Sequence, residues 1–268
     1  MEQIKVGIIG CAGRMGRSNL AAVLDAPGLV LAGGVERPDH PALGQDLGLL
    51  AGRDAVGQPA SADLAALVAA ADVLIEFSSP EATLTHLQVV AGTGKAQVVG
   101  TTGFSQAQFA ELARLAGTCP VLWAANMSLG VNLLLGLVER VAATLGDDWD
   151  IEILEMHHRS KVDAPSGTAL ALGRAAAAGR EVQLDEVAVR SRDGITGARQ
   201  PGTIGFATLR GGDVVGEHVV LFTGDAERIE LGHRATDRRI FAHGAVRAAR
   251  WLAGRPPGLY GMRDVLGL

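Results

Sequence analysis

Residues 155–169 bring together side chains that can bind anions and move protons. They read Glu-Met-His-His-Arg-Ser-Lys-Val-Asp-Ala-Pro-Ser-Gly-Thr-Ala and lie between an apolar run and an Ala/Leu-rich run. His157, His158 and Lys161 supply imidazole and ammonium groups. Ser166-Gly167-Thr168 is typical of a helix N-terminus, where unpaired N–H groups and the helix dipole favour an anion. The combination predicts a pocket for a small substrate bearing carboxylates, with a proton donor beside it.

Two other interpretations of this segment stay open. Consecutive residues of a strand point to opposite faces, so at most one of His157 and His158 faces the site unless the backbone turns there. A zinc site formed by His157, His158 and Asp163 is one alternative, but no second ligand cluster supports it, and we predict no bound metal. The other alternative is a set of solvated loop charges. The density of cationic donors beside the helix start at Ser166-Gly167-Thr168 argues against that, and Gly167 costs helix propensity yet permits close approach of a ligand.

A glycine-rich turn near the start of the chain predicts a dinucleotide site. Gly10, Gly13 and Gly16 follow the apolar run Ile4–Ile9 and open a helical pattern. Such a turn lets backbone N–H groups approach a pyrophosphate. The spacing is one residue longer than the usual G-x-G-x-x-G, and a structural turn in an unrelated α/β domain is the alternative. Glu36, at the end of the next strand-like run, stands where a ribose-binding carboxylate is expected.

Glu36 and Arg37 have opposing preferences for the cofactor. The Glu36 carboxylate accepts hydrogen bonds from a free ribose 2′-OH and favours NADH, whereas Arg37, with Arg14, can pair with the 2′-phosphate of NADPH. The neighbouring residues therefore predict use of both NADH and NADPH. The alternative for Arg37 is a solvated loop charge.

Two further polar segments are expected at the carboxyl ends of strands. They are Gly100-Thr101-Thr102-Gly103-Phe104 and Ala124-Ala125-Asn126-Met127-Ser128. Open α/β sheets bind ligands at that edge, so these segments can orient the nicotinamide ring. Each of them alone can also be an ordinary strand-to-helix loop.

The first half of the chain alternates strand and helix patterns. Strands are expected at residues 4–9, 29–35, 73–77, 97–100 and 121–124, with a loop from Glu36 to Ala60 and helices between the other strands. This alternation predicts a Rossmann-like, doubly wound parallel sheet. Together with residues 237–268, which include a helix at 238–252, residues 1–126 are expected to form the dinucleotide-binding domain.

The pattern changes after residue 127. A helix at 129–145 and a strand at 150–155 are followed, after the central motif, by a helix at 169–178 and by β-like runs at 186–190, 203–210, 214–222 and 228–233. Gly-rich turns such as Arg210-Gly211-Gly212-Asp213 favour antiparallel pairing. We expect residues 127–236 to form an α+β substrate domain with a mixed or antiparallel sheet.

Composition restricts the class of protein. The chain has 268 residues, is 48% hydrophobic and carries a net charge of −5, which argues against nucleic acid or an anionic membrane as the main partner. Glu139 and Arg140 interrupt the most apolar helix before it is long enough to span a bilayer. Two cysteines without metal-site spacing and no signal-peptide pattern before Ile4 predict a soluble, cytoplasmic protein.

The segment at 155–169 resembles the signature of the dihydrodipicolinate reductase family. The resemblance extends through Gly10–Arg17, Gly100–Phe104, Pro201–Thr208, Gly216-Glu217-His218 and Gly244–Arg247, and so covers nearly the whole chain. The family also has the longer glycine spacing.

The resemblance implies NAD(P)H-dependent reduction of a cyclic lysine precursor to tetrahydrodipicolinate. On the matching positions, His157 and Lys161 are the acid/base pair and proton donor, and His158, Gly167 and Thr168 hold the substrate carboxylates. It also implies a homotetramer built through the sheet of the substrate domain. The implied cofactor-binding residues are Gly10, Cys11, Ala12, Gly13, Arg14, Met15, Glu36, Arg37, Gly100, Thr101, Thr102, Ala124, Ala125, Asn126 and Met127.

Two other functions remain as alternatives. One is another two-domain NAD(P)-dependent dehydrogenase acting on imines, amino acids or sugars, since a fold does not fix a substrate. The other is a non-catalytic dinucleotide sensor, which would be expected to carry a partner or nucleic-acid surface.

Overall fold

The structure, a computed structural model, describes residues 3–268 and divides into two compact units. The first unit contains the chain up to Ser128 together with Arg239–Gly267. The second contains Leu129–Arg238 and the terminal Leu268.

The first unit is built on a six-stranded sheet in which every strand pair is parallel. Its spatial order is β11-β5-β4-β3-β1-β2, so the direction of winding reverses beside β1. The elements are β1 (Ile4–Ile9), α1 (Arg14–Leu24), β2 (Leu29–Val35), α2 (Leu47–Leu50), α3 (Leu64–Ala70), β3 (Val73–Glu76), α4 (Pro80–Val90), β4 (Ala96–Val99), α5 (Gln106–Ala116), β5 (Pro120–Trp123), α9 (Arg239–Leu252), β11 (Gly258–Tyr260) and α10 (Met262–Leu266).

Local chemistry explains where these elements begin. β3 and β4 are buried along their full length, as expected for strands covered on both faces. Asp63, Ser79 and Ser105 precede α3, α4 and α5, and each side chain accepts a backbone N–H from the first turn. Ser105 and Gln108 also form a capping box at the start of α5. The doubly wound parallel sheet is thereby confirmed.

The second unit packs helices against a five-stranded mixed sheet. Its order is β10-β9-β6-β8-β7. The β6–β8 and β7–β8 pairs are parallel, and the β6–β9 and β9–β10 pairs are antiparallel. Ile151, Ile153 and Phe206 belong to its apolar core. The elements are α6 (Leu129–Leu145), β6 (Asp150–His157), α7 (Gly167–Gly179), α8 (Leu184–Val187), β7 (Ala188–Val189), β8 (Ile204–Arg210), β9 (Gly216–Thr223) and β10 (Arg228–Ala235).

Two predictions about the elements were wrong. Residues 186–190 do not form a strand, because Leu184–Val187 is a helical turn that buries Leu184 and leaves only Ala188–Val189 extended. The Gly-rich turn after Arg210 does not join a hairpin, because β6 lies between β8 and β9. The C-terminal tail, for which no element was predicted, contributes β11 beside β5 and then α10.

Two smaller differences concern length. The expected loop before Ala60 contains the short helix α2, which Asp46 caps. β6 continues two residues beyond the predicted end and includes His157. Within residues 3–268, no helix combines the length and apolar character needed to cross a membrane.

Candidate active site

The glycine-rich turn between β1 and α1 is shaped by contacts that only glycine permits. Gly10 has φ +72°, in the left-handed region. A Cβ on Gly16 would lie 2.0 Å from the carbonyl oxygen of Gly10, so the helix can pack against the turn only without a side chain there. Gly13 is the N-cap of α1 and provides no side-chain acceptor, unlike the caps of α3, α4 and α5. The first N–H groups of α1 are therefore suited to a phosphate.

Glu36 is held beside this turn. Its Oε1 accepts a hydrogen bond of 2.8 Å from the backbone N–H of Ala12. Glu36 and Arg37 line a cavity of about 400 Å³ at the carboxyl ends of β1, β2 and β3. Arg37 is well exposed and makes an ion pair of 3.1 Å with the equally exposed Asp39, so its guanidinium remains accessible to a second anion.

The cavity also contains polar residues that sequence reasoning did not assign to the site. Ser78 and Ser79 follow β3, and His86 on α4 lines the same space. His86 Nδ1 lies 2.7 Å from Oε1 of the fully buried Glu76, to which Ser78 Oγ also donates. The signal was present in the sequence, because Ser78-Ser79 directly follows a buried strand at the ligand-binding edge of the sheet.

The segments after β4 and β5 lie at the ends of neighbouring strands. Thr101 is buried, and its Oγ1 accepts from the Ser78 N–H, so this side chain holds the loop in place. Thr102 is exposed. Gly100 is required by Phe77, whose ring would lie 2.1 Å from an added Cβ.

The residues after β5 differ in exposure. Ala124 and Met127 are buried, whereas Ala125 is exposed. Asn126 Oδ1 accepts from the backbone N–H of Ser128. A ligand can therefore meet the Ala125 surface and the backbone of this segment more readily than the Met127 side chain.

The remaining residues of the turn differ in role. Cys11 is buried, and burial raises the pKa of its thiol to about 12, so it stays protonated. Arg14 is exposed and Met15 is half-buried. The open turn, the uncapped helix and the oriented Glu36 carboxylate together fit the pyrophosphate and ribose of a dinucleotide.

In the second unit, the central motif begins on a strand whose inner face changes from apolar to polar. Alternate residues of β6 share a face, so Ile151, Ile153, Glu155 and His157 lie in one row. Ile151, Ile153 and Glu155 are buried, and the His157 side chain is 12% exposed. β6 ends at His157, so His158 belongs to the following loop.

Glu155 is the acceptor for several donors around this row. His157 Nδ1 lies 2.6 Å from Oε2, and the Arg210 guanidinium makes bonds of 2.8 and 3.0 Å to the two carboxylate oxygens. The Ser166 N–H donates at 3.0 Å. Burial alone would raise the pKa of Glu155, but the bonds from Arg210, His157 and Ser166 outweigh it and lower the pKa. Glu155 is therefore ionised.

The cationic side chains of the motif have partners of their own. Lys161 Nζ lies 2.7 and 2.8 Å from the two carboxylate oxygens of Asp163. His158 Nε2 is 3.5 Å from an Arg238 nitrogen. Asp163 is thus bonded to Lys161, and His157 is bonded to Glu155. Within residues 3–268, no group of three His, Cys, Asp or Glu side chains is arranged to hold a metal ion.

The start of α7 adjoins this cluster. Ser166 Oγ caps the helix by accepting the Ala169 N–H, and it also shares a hydrogen bond of 3.0 Å with His218 Nε2. Burial, reinforced by the nearby His157, lowers the pKa of His218 to about 4, so this ring is neutral at physiological pH. A Cβ on Gly167 would meet no atom within 4 Å beyond its chain neighbours and the backbone of its own helix, so the space beside this amide is open to a ligand.

The structure thus places His157, Lys161, His158, Gly167 and Thr168 in the second unit. Sequence reasoning assigned no role to Glu155, Arg210 or His218, which surround His157. The available signal was an acidic residue at a position of β6 where the alternation calls for an apolar one.

Comparison with known proteins decides the family. The model described as dihydrodipicolinate reductase, N-terminus, matches residues 4–127, and the model for the C-terminus matches residues 130–266. The chain belongs to the dihydrodipicolinate reductase family. Membership in this reductase family, with its Rossmann-like N-terminal domain, implies a nicotinamide dinucleotide cofactor.

Individual relatives of this family match over the whole chain. A protein of Afipia carboxidovorans is 55% identical over 268 residues, covering 100% of this chain and 98% of the relative. One from Rhodopseudomonas palustris strain BisB18 is 53% identical, covering 100% and 99%. Both are named 4-hydroxy-tetrahydrodipicolinate reductase.

Solved structures agree with the fold. A dipicolinate-bound dihydrodipicolinate reductase from Paenisporosarcina sp. TG-14 has a TM-score of 0.78 at 26% identity and covers 98% of this chain and 99% of its own. An amine dehydrogenase from Mycobacterium smegmatis has a TM-score of 0.57 at 15% identity, covers 96% of this chain and 94% of its own, and shares the fold alone.

Proposed function

We propose that this protein is an NAD(P)H-dependent 4-hydroxy-tetrahydrodipicolinate reductase of lysine and diaminopimelate biosynthesis. Its substrate loses the 4-hydroxyl as water, and the resulting double bond is reduced to give tetrahydrodipicolinate. The observation that carries the proposal is the set of groups found together in the second unit, which contains the His157–Glu155 pair, Lys161 and the start of α7. The chain that holds them is 55% identical to a reductase of that name.

The substrate is a small dicarboxylate in this proposal, and the dipicolinate bound to the Paenisporosarcina relative supports that class. The Gly167 and Thr168 amides lie in the first turn of α7, where the helix dipole favours an anion. Lys161 and His158 supply further donors. Two carboxylates need several donors if neither is to be desolvated without a partner, and this set provides them.

His157 and Lys161 are assigned to proton transfer. When bound, a reduced nicotinamide supplies a hydride, and one proton then completes the reduction of the double bond. Negative charge develops on the substrate during hydride addition, so a cation and a positioned acid lower the barrier. Lys161 provides the cation. His157, bonded to an ionised carboxylate through Nδ1, can hold a proton on Nε2 and release it.

The dinucleotide is assigned to the Gly10–Met15 turn, Glu36, Arg37 and the residues after β4 and β5. Glu36, oriented by the Ala12 N–H, favours a free ribose 2′-OH, and Arg37 can exchange Asp39 for a 2′-phosphate. We therefore expect both NADH and NADPH to be used. We also assign the protein to the cytoplasm and expect a homotetramer formed through the sheet of the second unit.

A coupled assay tests the function. The preceding synthase generates the unstable substrate, and loss of reduced-nicotinamide absorbance is followed after this protein is added. Turnover is expected with both cofactors, with kcat/KM values within about a thousandfold of each other, or roughly 4 kcal/mol. Turnover with other imines, amino acids or sugars but not with this substrate would favour the alternative dehydrogenases. NAD(P)H binding without any turnover would favour a sensor.

A further inference from the structure

Glu155 is a charged residue in a row of core positions. It follows Ile151 and Ile153 on the inner face of β6 and is 1% exposed. A buried carboxylate costs several kcal/mol unless donors compensate it. Here the strand register supplies two of the donors, because Thr208 of β8 lies opposite Glu155 and donates to it, and Arg210 of the same strand lies opposite His157 and also donates to Glu155. The pairing of the strands therefore places hydrogen-bond donors at the one position of this row where the buried Glu155 carboxylate needs them.

The donors to Glu155 belong to both parts of the proposed substrate site. One is the His157 ring, the assigned proton donor. Another is the N–H of Ser166, the N-cap of α7, whose first turn is assigned to a substrate carboxylate. One buried carboxylate thus connects the acid to the anion-binding helix start.

The chemistry of the His157 contact fixes the ring. An ionised carboxylate only accepts hydrogen bonds, so the proton between the two groups must belong to His157 Nδ1. Nε2 then lies beside Gly216, where a Cβ would be 3.0 Å away. Any other residue at 216 would press on the nitrogen that exchanges the proton.

We propose that Glu155 is a positioning residue that selects the Nδ1–H tautomer of His157 and so leaves Nε2 to carry the proton that is transferred. The inference rests on the proposed function for the role of His157, but the tautomer itself does not depend on that role. In the imidazolium, Nδ1–H donates to Glu155 and Nε2–H faces the substrate. Transfer of the Nε2 proton leaves the neutral Nδ1–H ring, and Glu155 keeps its charge throughout.

The other charged groups near this pair cannot select the tautomer of His157. The Arg210 guanidinium has donors only and offers no acceptor to Nδ1–H, and Lys161 is paired with Asp163. Burial lowers the pKa values of His218 and His233 and favours their neutral forms. Glu155, His218 and Arg210 lie beside His157. Arg210 also bonds to the Asp163 carbonyl, Asp163 pairs with Lys161, and His233 lies opposite His218.

Nitrogen-15 NMR of the histidine-labelled full-length protein tests the tautomer directly. The chain has seven histidines, and the signals of His157 are identified as those missing from the spectrum of H157Q. At high pH the neutral His157 ring is expected to carry its proton on Nδ1. In E155Q the side-chain amide can turn its NH₂ toward the ring, so the proton is expected to move to Nε2. An Nε2–H ring in the wild type would overturn the proposal.

Steady-state kinetics supply the second readout. E155Q no longer selects the tautomer of the proton donor but keeps Lys161 and the start of α7, so kcat is expected to fall by about tenfold or more while KM changes less. E152Q is the matched control, because Glu152 is on the same strand and also pairs with arginines, Arg192 and Arg199, but not with His157. Its kcat and KM are expected to match those of the wild type.

The outcomes separate the two hypotheses. A wild-type kcat in folded E155Q contradicts the positioning role. Wild-type kcat in H157Q contradicts the proposed role of His157, whereas the tautomer measurement still tests Glu155. If E155Q does not fold, the tautomer of His157 in the wild-type spectrum alone tests the proposal.

Discussion

The Lys161 ammonium lies 2.7 and 2.8 Å from the two carboxylate oxygens of Asp163. Asp163 is 57% exposed and Lys161 19% exposed, so the pair is open to solvent on one side. An ion pair of this kind contributes little to stability. The structure therefore shows Lys161 already engaged with a carboxylate, in a position from which a substrate carboxylate or a developing negative charge can compete for it.

Removal of the Lys161 ammonium should impair turnover. K161A is expected to lower kcat by at least about a hundredfold, the usual scale for a group that stabilises charge or moves a proton in the transition state. Steady-state kinetics in the coupled assay measure it. K95A, which removes an ammonium near Asp72 in the first unit, is the control and should be unaffected. Wild-type kcat in K161A would remove Lys161 from the mechanism.

A side chain at position 167 should affect ligand binding but not folding. The Cβ of G167A meets no protein atom, and alanine is the better helix former, so the melting temperature should be unchanged or higher. The same methyl group occupies the space beside the amide, and calorimetry with pyridine-2,6-dicarboxylate should show affinity weakened by about tenfold or more. G232A, whose Cβ makes ordinary contacts in β10, is the control. Equal affinity in G167A would place the ligand elsewhere.

A side chain at position 16 should impair nucleotide binding. The Cβ of G16A would lie 2.0 Å from the Gly10 carbonyl oxygen, so the turn must shift. NADH binding, followed by fluorescence, is expected to weaken by at least about tenfold. G13A, whose Cβ would be 3.3 Å from the same oxygen, should lose less. Unaltered NADH affinity in folded G16A would contradict the assignment of this turn to dinucleotide binding.

Acid should destabilise the wild type partly through His218. Its pKa of about 4 in the folded state is below the unfolded value near 6.5, so the unfolded chain binds more protons and stability falls as pH decreases through this window. Between pH 7 and 5 the loss from this residue is roughly 2 kcal/mol. Denaturant titrations should show that H218Q, which retains a group able to bond Ser166, loses less over the same interval. An equal loss of unfolding free energy in the wild type and H218Q would contradict the attribution of this pH dependence to His218.

The sequence predicted the elements whose patterns are continuous. Apolar runs specified the parallel strands, and Ser105 with Gln108 specified the start of α5, because these signals are local. The partners of strands in a mixed sheet are not local. β6 lies between β8 and β9, although the glycines after Arg210 suggested a hairpin. Short elements such as β11 and the turn at Leu184 depend on the surface against which they pack.

The candidate site was predictable in its residue types but not in its connections. The residues from His157 to Thr168 identified a cationic segment beside a helix start. Their partners come from distant positions, since Glu155 is joined to Arg210 and Ser166 is joined to His218 only after the strands align. The sequence also did not indicate that Lys161 pairs with Asp163, which gives the segment a mixed set of charges.

The most direct test of the account is a crystal structure of the full-length protein with NADH and pyridine-2,6-dicarboxylate. The account predicts one carboxylate of the inhibitor within hydrogen-bond distance of the Gly167 and Thr168 amides, with Lys161 Nζ within reach of the inhibitor. A dicarboxylate bound away from the start of α7 and from Lys161 would contradict it.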